Sequence, residues 1–446
     1  MSSLPAFERE GAPPREAERA GAREWRDIVV IGGGFAGASL ARRLQRRMPA
    51  GCRLILVSEE SYTTFNPMLA EVVGASIFPE QVVAPLRQIL RQGPRAQFIM
   101  GQVTAIDFAA KSIQYATLSG MTVAPYDQLV LAFGNLARTD FIPGLAEHAL
   151  ALKTVGDAME IRNVVLRRLA RIELETDGAL RAALGHFVVI GGGFSGVEVA
   201  GELVDCLKNI RRYYPRVELR ELRVTLVHDL DALLPELPKP LGEAAKASLL
   251  RRGVDVRLTM RAARVSAEGV ELQDGARLLA RSVITTAGTR PHPLATQCGL
   301  PLERGRIVVN PDMSVAAAPG VWALGDCARV ANALDASLSP PTAQFAVRQG
   351  RRLADNLTLA LAERPTMPFR YRARGMMATV GRLNGVAQVF GVSFSGFPAW
   401  LVWRAYYLSQ MPTFGRKLRI YVEWTWGMIF SADITHFRFT RSSEKP

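Results

Sequence analysis

The chain has 446 residues, which is too long for one ordinary hydrophobic core, so two or three packed units are expected. With 48% hydrophobic and 22% charged residues, the composition is typical of a globular protein and excludes a chain that is disordered throughout. The formal net charge of +14 predicts an anionic partner, either nucleic acid or an acidic membrane surface, and composition does not separate the two.

The N-terminal stretch 1–26 combines Pro, Gly, Ala, Glu and Arg with almost no large apolar side chains. It lacks the apolar segment of a secretory signal, and it contains too many glutamates for a mitochondrial transit peptide. We therefore predict a disordered tail over residues 1–26.

Two glycine-rich turns dominate the rest of the chain. In the first, an apolar strand ends at Gly32, Gly34 and Gly37, a full G-x-G-x-x-G before a helical pattern. The first glycine permits a tight turn, the second lets the backbone approach a pyrophosphate, and the third lets helix and strand pack closely. The second turn has the same spacing at Gly191, Gly193 and Gly196. One such motif is weak support, but two in this context predict two dinucleotide sites.

An acid that holds a ribose hydroxyl is expected about 20 residues after each turn. The position falls on Ser58 or Glu59 after the first turn and on His228 or Asp229 after the second. Glu59 would serve a ribose, and Asp229 would favour NADH. A His228 that faces the pocket would tolerate the extra phosphate of NADPH, whereas a His228 that only ends a strand would have no such role.

Further segments resemble the pyridine nucleotide-disulfide oxidoreductase superfamily, and within it the type II NADH:quinone oxidoreductases. Five stretches carry the resemblance, in the family's order: residues 63–77, 126–135, 283–293, 320–328 and 340–350. The second and third resemble the crossover strands between the two domains, and the third contains Gly288. In "GVWALGDCA" the resemblance implies that Gly325 and Asp326 contact the flavin. The fifth resembles the helix start beside the isoalloxazine ring, at Ala343.

The resemblance implies an α/β fold with two Rossmann-like domains, as in glutathione-reductase-like two-domain flavoproteins. An FAD domain over residues 27–155 and 285–380 would be interrupted by an NAD(P)H domain over 156–284. Strand-like runs such as "RVTLVHD" alternate with helical segments such as "LGEAAKASLLRRG", as doubly wound parallel sheets require. Residues 381–446 would form a C-terminal membrane-association region.

The cysteines restrict the chemistry. Cys52, Cys206, Cys298 and Cys327 are scattered, with no C-x-x-C pair, no redox C-x4-C and no zinc-ligand spacing. This distribution indicates a reducing compartment and packing thiols, and it predicts no metal site. Only Cys327 is placed near the flavin by motif, so a sulfide:quinone oxidoreductase, which needs a cysteine pair, stays an alternative without an identifiable second thiol.

Two side chains are candidates for a direct part in the reaction. The resemblance places Glu198 near nicotinamide and flavin, and the alternative is a first-turn acid that complements the helix dipole. It places Gln344 near the quinone end of the flavin, where an amide can donate to a quinone carbonyl. The alternative for Gln344 is a helix-capping contact. The implied activity is hydride transfer from NADH to FAD, followed by reduction of a quinone.

Aromatic and basic residues are concentrated in the last fifty residues. Trp400, Trp403, Tyr407 and Met411 fall at helical spacing, and Leu418, Tyr421 or Val422, Thr425 and Ile429 do so in a second segment. Basic residues flank both segments, namely Arg404, Arg416, Lys417 and Arg419. The pattern predicts two amphipathic helices that bind an anionic membrane surface, and packing onto the body or a homodimer interface is the alternative.

No transmembrane segment is predicted, because the uncharged stretch 383–403 contains Asn384, Gln388, Pro398 and several Gly and Ser residues. The alternating pattern of "GVAQVFGVSFSG" predicts strands that end in a turn. Nucleic acid is the weaker anionic partner, since the basic residues are dispersed and no nucleic-acid module is present. The leading prediction is a peripheral enzyme on the cytoplasmic face of the cell membrane. A soluble NAD(P)H oxidase or diaphorase and a redox-switched binder of the apoptosis-inducing-factor type are the competing functions.

Overall fold

The structure, a computed structural model, describes residues 25–411, 414–430 and 435–436. The predicted disordered tail lies outside this range up to residue 24, but its last residue, Arg26, already belongs to a strand. The chain folds as an α/β protein around two parallel sheets.

The first parallel sheet follows the first glycine turn. Its strands are β1 (Arg26–Ile31), β2 (Cys52–Ser58), β5 (Ala96–Met100), β9 (Gln128–Leu131) and β22 (Val321–Ala323). They lie in the order β22-β9-β1-β2-β5, with every neighbouring pair parallel. Because both faces of this sheet are covered, its central strands are continuous apolar runs and not alternating ones.

The second parallel sheet repeats this plan. Its strands are β11 (Ala149–Ala151), β12 (His186–Ile190), β13 (Arg223–Val227), β14 (Val254–Arg257) and β18 (Ser282–Thr285). The order is β11-β18-β12-β13-β14, again parallel throughout. β11 pairs with β18, so the second sheet takes its first strand from before residue 156, the predicted start of the NAD(P)H domain.

Helices pack on these sheets and beyond them. In chain order they are α1 (Phe35–Leu44), α2 (Leu69–Val73), α3 (Leu86–Ile89), α4 (Leu145–His148), α5 (Val155–Leu174), α6 (Gly178–Leu184), α7 (Phe194–Ile210), α8 (Lys239–Arg251), α9 (Pro293–Gln297), α10 (Ala343–Leu361), α11 (Phe397–Gln410) and α12 (Phe414–Ile429). α1 and α7 begin directly after the two glycine turns, as the sequence pattern predicts.

Smaller sheets complete the fold, and all but one of their strand pairs are antiparallel. Their strands are β3 (Tyr62–Thr64), β4 (Val83–Pro85), β6 (Gln102–Asp107), β7 (Ser112–Thr117), β8 (Gly120–Pro125), β10 (Asn135–Ala137), β15 (Ala262–Ser266), β16 (Gly269–Leu272), β17 (Arg277–Leu279), β19 (Thr289–Pro291), β20 (Leu302–Glu303), β21 (Arg306–Val308), β23 (Ala328–Arg329), β24 (Gly375–Thr379), β25 (Gly385–Val389) and β26 (Val392–Gly396). β10 pairs with β19 in the region of the two predicted crossover segments. β25 and β26 form the hairpin predicted from "GVAQVFGVSFSG".

The C-terminal helices form as predicted, but the prediction of which face is free was wrong for the first of them. Trp400, Trp403 and Met411 are buried, and Trp424 of α12 is buried with them. These side chains extend the core cluster of the second sheet, because their large apolar areas gain more from packing on α2 and α7 than from exposure. Tyr407 also packs against this core.

The outer face of α11 and α12 is nevertheless strongly apolar. It exposes Phe397, Leu401, Val402, Phe414, Leu418, Tyr421, Val422, Trp426, Met428 and Ile429, with Phe430 just beyond. We call these residues the outer apolar face. Within the described ranges, no helix combines the length and hydropathy needed to cross a bilayer.

Candidate functional site

The first glycine turn has the geometry that a dinucleotide pyrophosphate needs. Gly32 has φ +106°, and a Cβ there would lie 2.4 Å from the Ala132 carbonyl oxygen. A Cβ on Gly37 would lie 1.9 Å from the Gly32 carbonyl oxygen, so this glycine is required for the close packing of α1 on β1. Gly34 caps α1 and faces open space, with no atom within 4 Å of the point that a Cβ would occupy. The helix N-terminus is thus free to receive phosphate.

The two ribose candidates of the first sheet have different surroundings. Ser58 is buried at the end of β2, where its hydroxyl accepts a hydrogen bond of 3.1 Å from the Gly33 amide. Glu59 follows it and is exposed. Ser58 therefore supports the turn, and Glu59 is the carboxylate that is free to meet a ribose.

The second turn repeats the geometry of the first. Gly191 has φ +113°, and a Cβ on Gly196 would lie 1.7 Å from the Gly191 carbonyl oxygen. Gly193 caps α7 and faces open space. The turn therefore presents α7 to an anionic ligand in the way the first turn presents α1.

His228 lies beneath this second turn. A Cβ on Gly192 would fall 2.6 Å from its imidazole ring, and the ring is almost fully buried. Burial lowers the pKa of His228, and Asp229, 3.3 Å from its Nδ1, acts in the opposite direction. The imidazole is therefore held neutral beneath the turn, whereas the Asp229 carboxylate is exposed and available to a ribose.

Asp326 lies in a short 3₁₀ turn that follows β22. Gly325, with φ +73°, donates its amide to Gln349 Oε1 at 2.8 Å, which fixes this turn against α10. Burial raises the pKa of Asp326, and the cation of Lys153 lowers it. The turn follows the carboxyl end of β22, and a Cβ on Gly325 would lie 3.0 Å from the Ala36 Cβ in the first turn of α1.

Lys153 is a site residue that sequence reasoning missed. Its ammonium donates to Asn135 Oδ1, and its carbonyl accepts a 2.9 Å bond from the Asn66 side chain. Burial lowers the pKa of Lys153, and Asp326 opposes the shift. The sequence feature that could have drawn attention to Lys153 is the Thr154–Asp157 capping box. It begins α5 directly after Lys153, and Asp157 accepts a hydrogen bond from the lysine backbone amide.

Gln344 lies at the start of α10, next to Ala343. Its Nε2 donates to the Gly375 carbonyl at 3.1 Å, and its Oε1 accepts from the Tyr371 hydroxyl. These contacts join α10 to β24 and do not cap the helix, so the capping alternative does not describe this residue. The second hydrogen on Nε2 stays available to a ligand carbonyl.

Glu198 lies in the second turn of α7 and is buried, so the helix-dipole alternative does not describe it. Its carboxylate accepts a 3.2 Å hydrogen bond from the Thr379 amide. Thr379 and Gly375 end the five-residue strand β24, so Glu198 and Gln344 contact opposite ends of one strand, about 13 Å apart along it. The structure brings the two candidates to the same region.

An aromatic series lines this region. Phe35, the first residue of α1, contacts Phe65 at 5.6 Å between ring centroids, and Phe65 contacts Tyr407 at 5.5 Å. Burial raises the pKa of the Tyr407 phenol, and the nearby Glu198 carboxyl adds to the shift in the same direction when it is ionised. These edge-to-face rings, which we call the aromatic wall, therefore connect the first glycine turn to the region of Glu198.

The buried Glu198 carboxyl makes stability depend on pH. Burial raises its pKa well above 4.5, so the folded chain keeps a proton that the unfolded chain loses. This contribution is complete below the unfolded pKa and is lost as pH rises through the folded pKa. In urea unfolding at pH 6 and pH 9, Glu198→Gln should lose less stability at the higher pH than the native chain. The exposed Glu147→Gln serves as the control, and an unchanged pH slope for Glu198→Gln would contradict the prediction.

All four cysteines lie in the described ranges and are free. Cys327 is buried, with Sγ 3.4 Å from the Leu131 carbonyl and 3.2 Å from the Leu324 carbonyl. Burial raises the pKa of its thiol to about 12. It is therefore a packing thiol, and no second cysteine is placed to form the pair that sulfide chemistry needs. In the described parts of the chain, no cluster of His, Cys, Asp and Glu side chains is arranged to hold a metal.

The arrangement fits a flavin dinucleotide at the first turn. No atom lies within 4 Å of a Cβ at Gly34, whereas Gly32 and Gly37 leave no room for a side chain. Asp326 and Lys153 provide a half-buried carboxyl group and a half-buried cation in the same region. The second turn is open in the same way for a nicotinamide dinucleotide.

Comparison with known proteins agrees with this geometry. The pyridine nucleotide-disulphide oxidoreductase family profile matches residues 26–350. The type II NADH:quinone oxidoreductase Ndh of Mycobacterium tuberculosis is 31% identical over 420 residues, covering 89% of this chain and 87% of that protein. The chain belongs to the type II NADH:quinone oxidoreductases.

Two further similarities support this membership in the type II NADH:quinone oxidoreductases. An internal alternative NAD(P)H-ubiquinone oxidoreductase A1 of Solanum tuberosum is 30% identical over 438 residues, covering 92% of this chain and 87% of that protein. The solved structure of NDH2 from Plasmodium falciparum in complex with NADH superposes with a TM-score of 0.86. It covers 93% of this chain and all of that one at 17% identity, which shows a shared fold.

Proposed function

We propose that this chain is an FAD-dependent NADH:quinone oxidoreductase of the membrane surface that pumps no protons. Bound FAD supplies the redox chemistry, since it accepts a hydride from NADH and passes two electrons to a quinone. The observation that supports this most directly is the pair of complete glycine turns, at the ends of two parallel sheets, in a chain without a redox cysteine pair. NADH is the favoured donor, because His228 is buried and held neutral while the Asp229 carboxylate beside it is exposed.

In this proposal FAD binds the domain of residues 27–155 and 285–380, and NADH binds that of 156–284. The strand β11 suggests moving the first limit back to residue 149. Gly32, Gly34 and Gly37 receive the FAD pyrophosphate, and Asp326 and Lys153 provide polar contacts to its ribityl side. The residues that receive NADH are Gly191, Gly193, Gly196 and Asp229, with Gly288 at the crossover.

The experiment that tests the activity is stopped-flow mixing of the flavin-loaded protein with NADH and then with a short-chain quinone. Rapid bleaching of the flavin absorbance by NADH and rapid recovery with quinone are expected. A flavin that stays oxidised would contradict the proposal at its first step. Reduction followed by slow, stoichiometric recovery would contradict quinone turnover and favour a redox-switched binder.

Gln344 is proposed to orient the quinone. Gln344→Ala removes the amide hydrogen that can donate to a quinone carbonyl, and it frees the Tyr371 hydroxyl. We expect flavin reoxidation by quinone to slow by about 10-fold or more, while reduction by NADH stays near the native rate. Separate stopped-flow half-reactions measure the two rates. Equal slowing of both would remove Gln344 from the quinone site.

The membrane contact is proposed to be the outer apolar face of α11 and α12. From residue 364 to residue 422 the chain contains nine Arg and Lys residues and no Asp or Glu. Apolar side chains bordered by cations are the combination that binds an anionic bilayer. The four free thiols support the cytoplasmic face, where thiols stay reduced. A second copy of the chain is the competing occupant of this face.

Binding to vesicles tests this surface. Leu418, Val422 and Ile429 are exposed along one side of α12, and replacing all three by Ser should weaken binding to anionic liposomes by about 100-fold or more. The matched control is a triple Ser variant of the β7–β8 hairpin at Leu118, Met121 and Val123, which are also more than half exposed. Flotation assays measure both. Native-like binding of the α12 variant would contradict the proposal, and a dimer lost in the same variant would favour a second copy.

A further inference from the structure

A polar stripe runs along one face of α7, a helix whose other buried residues are mainly apolar. Glu198, Glu202, Asp205 and Asn209 follow one another at helical spacings of four, three and four residues. They therefore share one side of the helix over about 16 Å. Glu198 and Glu202 are both buried, which is uncommon for two carboxyl groups one turn apart.

The outer end of this stripe opens into a cleft. Glu202, Asp205 and Asn209 line a cleft of about 130 Å³ between α7, α12 and the segment 74–78. Arg404 and Glu423 also line it. The Nε and Nη1 atoms of Arg404 are buried beside the cleft against the Trp400 and Trp424 rings, without a hydrogen-bond partner among the described residues. The polar sites that the cleft offers to water are therefore the carboxyl and amide groups of its lining.

Glu202 stands between this cleft and the interior. The Ser76 hydroxyl donates to its Oε2 at 2.6 Å, which supplies one proton-carrying contact. Burial raises the pKa of Glu202, Glu71 and Asp205 raise it further by repulsion, and Ser76 and Arg404 lower it. The charged groups around it are, by element, Glu71 on α2, Arg162 on α5, Glu198 and Asp205 on α7, Arg404 on α11, Glu423 on α12 and Arg382.

The inner end of the stripe is Glu198, at the aromatic wall. The Trp403 indole nitrogen faces this carboxyl, yet it belongs to a fully buried residue and makes no regular hydrogen bond to any described group. The indole N–H is therefore a donor that the Glu198 carboxyl can engage when it carries a negative charge. Glu198 is thus the point at which the stripe meets the region of Gln344.

Quinone reduction has a proton requirement that this stripe would meet. The balanced reaction is NADH + H⁺ + quinone → NAD⁺ + quinol, so the hydride provides one of the two hydrogens and solvent must provide the other. We propose that Glu202 is a proton-relay residue, which carries the solvent proton from the cleft to Glu198. This inference rests on the proposed function.

In each cycle the Glu198 O–H bond breaks as its proton passes to a quinone oxygen. The Glu202 O–H bond then breaks as its proton passes to the Glu198 carboxylate. Water in the cleft reprotonates Glu202, and the net uptake is one proton for each NADH oxidised. No electron moves through these carboxyl groups.

Glu202→Gln tests the relay, because the amide keeps the shape of the side chain but cannot pass on a proton. Single-turnover mixing of the reduced holoenzyme with a short-chain quinone, with a pH-indicator dye present, should show proton uptake and flavin reoxidation slowed by about 100-fold. Flavin reduction by NADH should stay at the native rate. The exposed Glu160→Gln is the matched control, and Glu202→Asp, which keeps a carboxyl group, should recover part of the rate.

A second readout does not need turnover. Infrared titration of the oxidised holoenzyme should show a protonated-carboxyl band that disappears as pH rises and that is reduced in Glu202→Gln. Native rates of proton uptake and reoxidation in Glu202→Gln would overturn the relay. If Glu202→Gln does not fold, Ser76→Ala tests the relay in its place. Loss of the Ser76 hydroxyl should slow proton uptake, and an unchanged rate of uptake would overturn the proposal. Native protein that takes no electrons from NADH would contradict the proposed function instead.

Discussion

Gly37→Ala should abolish the retention of FAD. The new Cβ would lie 1.9 Å from the Gly32 carbonyl oxygen and 3.4 Å from the Ala132 Cβ, where it has no room. Relief requires α1 to move away from β1, and that movement withdraws the helix N-terminus from the pyrophosphate. We expect the flavin-to-protein absorbance ratio of the purified variant to fall below about one tenth of the native ratio.

The control for this variant is Gly178→Ala at the start of α6. No atom lies within 4 Å of its added methyl group, and the position does not need positive φ. Its flavin content should equal that of the native protein. A Gly37→Ala protein that carried a full complement of FAD would show that the first turn is not the flavin site.

Arg404→Ala should cost about 3–5 kcal/mol in the free energy of unfolding. The Arg404 guanidinium lies between the rings of Trp400 and Trp424, at 4.0 and 4.6 Å from their centroids, and it pairs with the buried Glu71 at 3.4 Å. Burial raises the pKa of Glu71, and Arg404 is the largest opposing influence. Removing the cation leaves a buried acid unpaired and two indole faces uncovered.

Urea unfolding of the flavin-loaded protein measures this cost. The matched control is Arg167→Ala, whose partner Glu160 is half-exposed at the surface and whose loss should cost less than about 1 kcal/mol. If Arg404→Ala unfolded within about 1 kcal/mol of the native chain, the ion pair would not hold α11 on the body.

The local structure of the chain could be predicted from the sequence wherever a short motif determines the backbone conformation. The two glycine turns, the strands before them and the helices after them follow from Gly32, Gly37, Gly191 and Gly196, because steric exclusion acts over a few residues. The α/β class and the C-terminal helices were likewise predictable from periodicity.

Contacts between segments that are far apart in the sequence could not be predicted from short motifs. Arg404 and Glu71 are 333 residues apart, and Lys153 and Asn135 are 18 residues apart with α4 and β11 between them. Helical spacing shows that Trp403 and Leu418 each lie on an apolar face, but it does not say which face meets the core. The packing of Trp403 against its neighbours on α2 and α7 determines which face of α11 is buried.

The attachment of the C-terminal helices has a practical consequence. The ion pair of Arg404 with Glu71 fixes α11 to the body. α12 is fixed by the Trp424 indole, which donates to the same carboxylate, and by the Glu423 carboxylate, which accepts from the Phe78 amide. These two helices are thus a wall of the folded body as well as its proposed lipid-facing side. Cutting the chain before Phe397 would uncover the hydrophobic core, so a detergent-free form of this enzyme is better sought by placing polar residues on the outside of α12 than by shortening the chain.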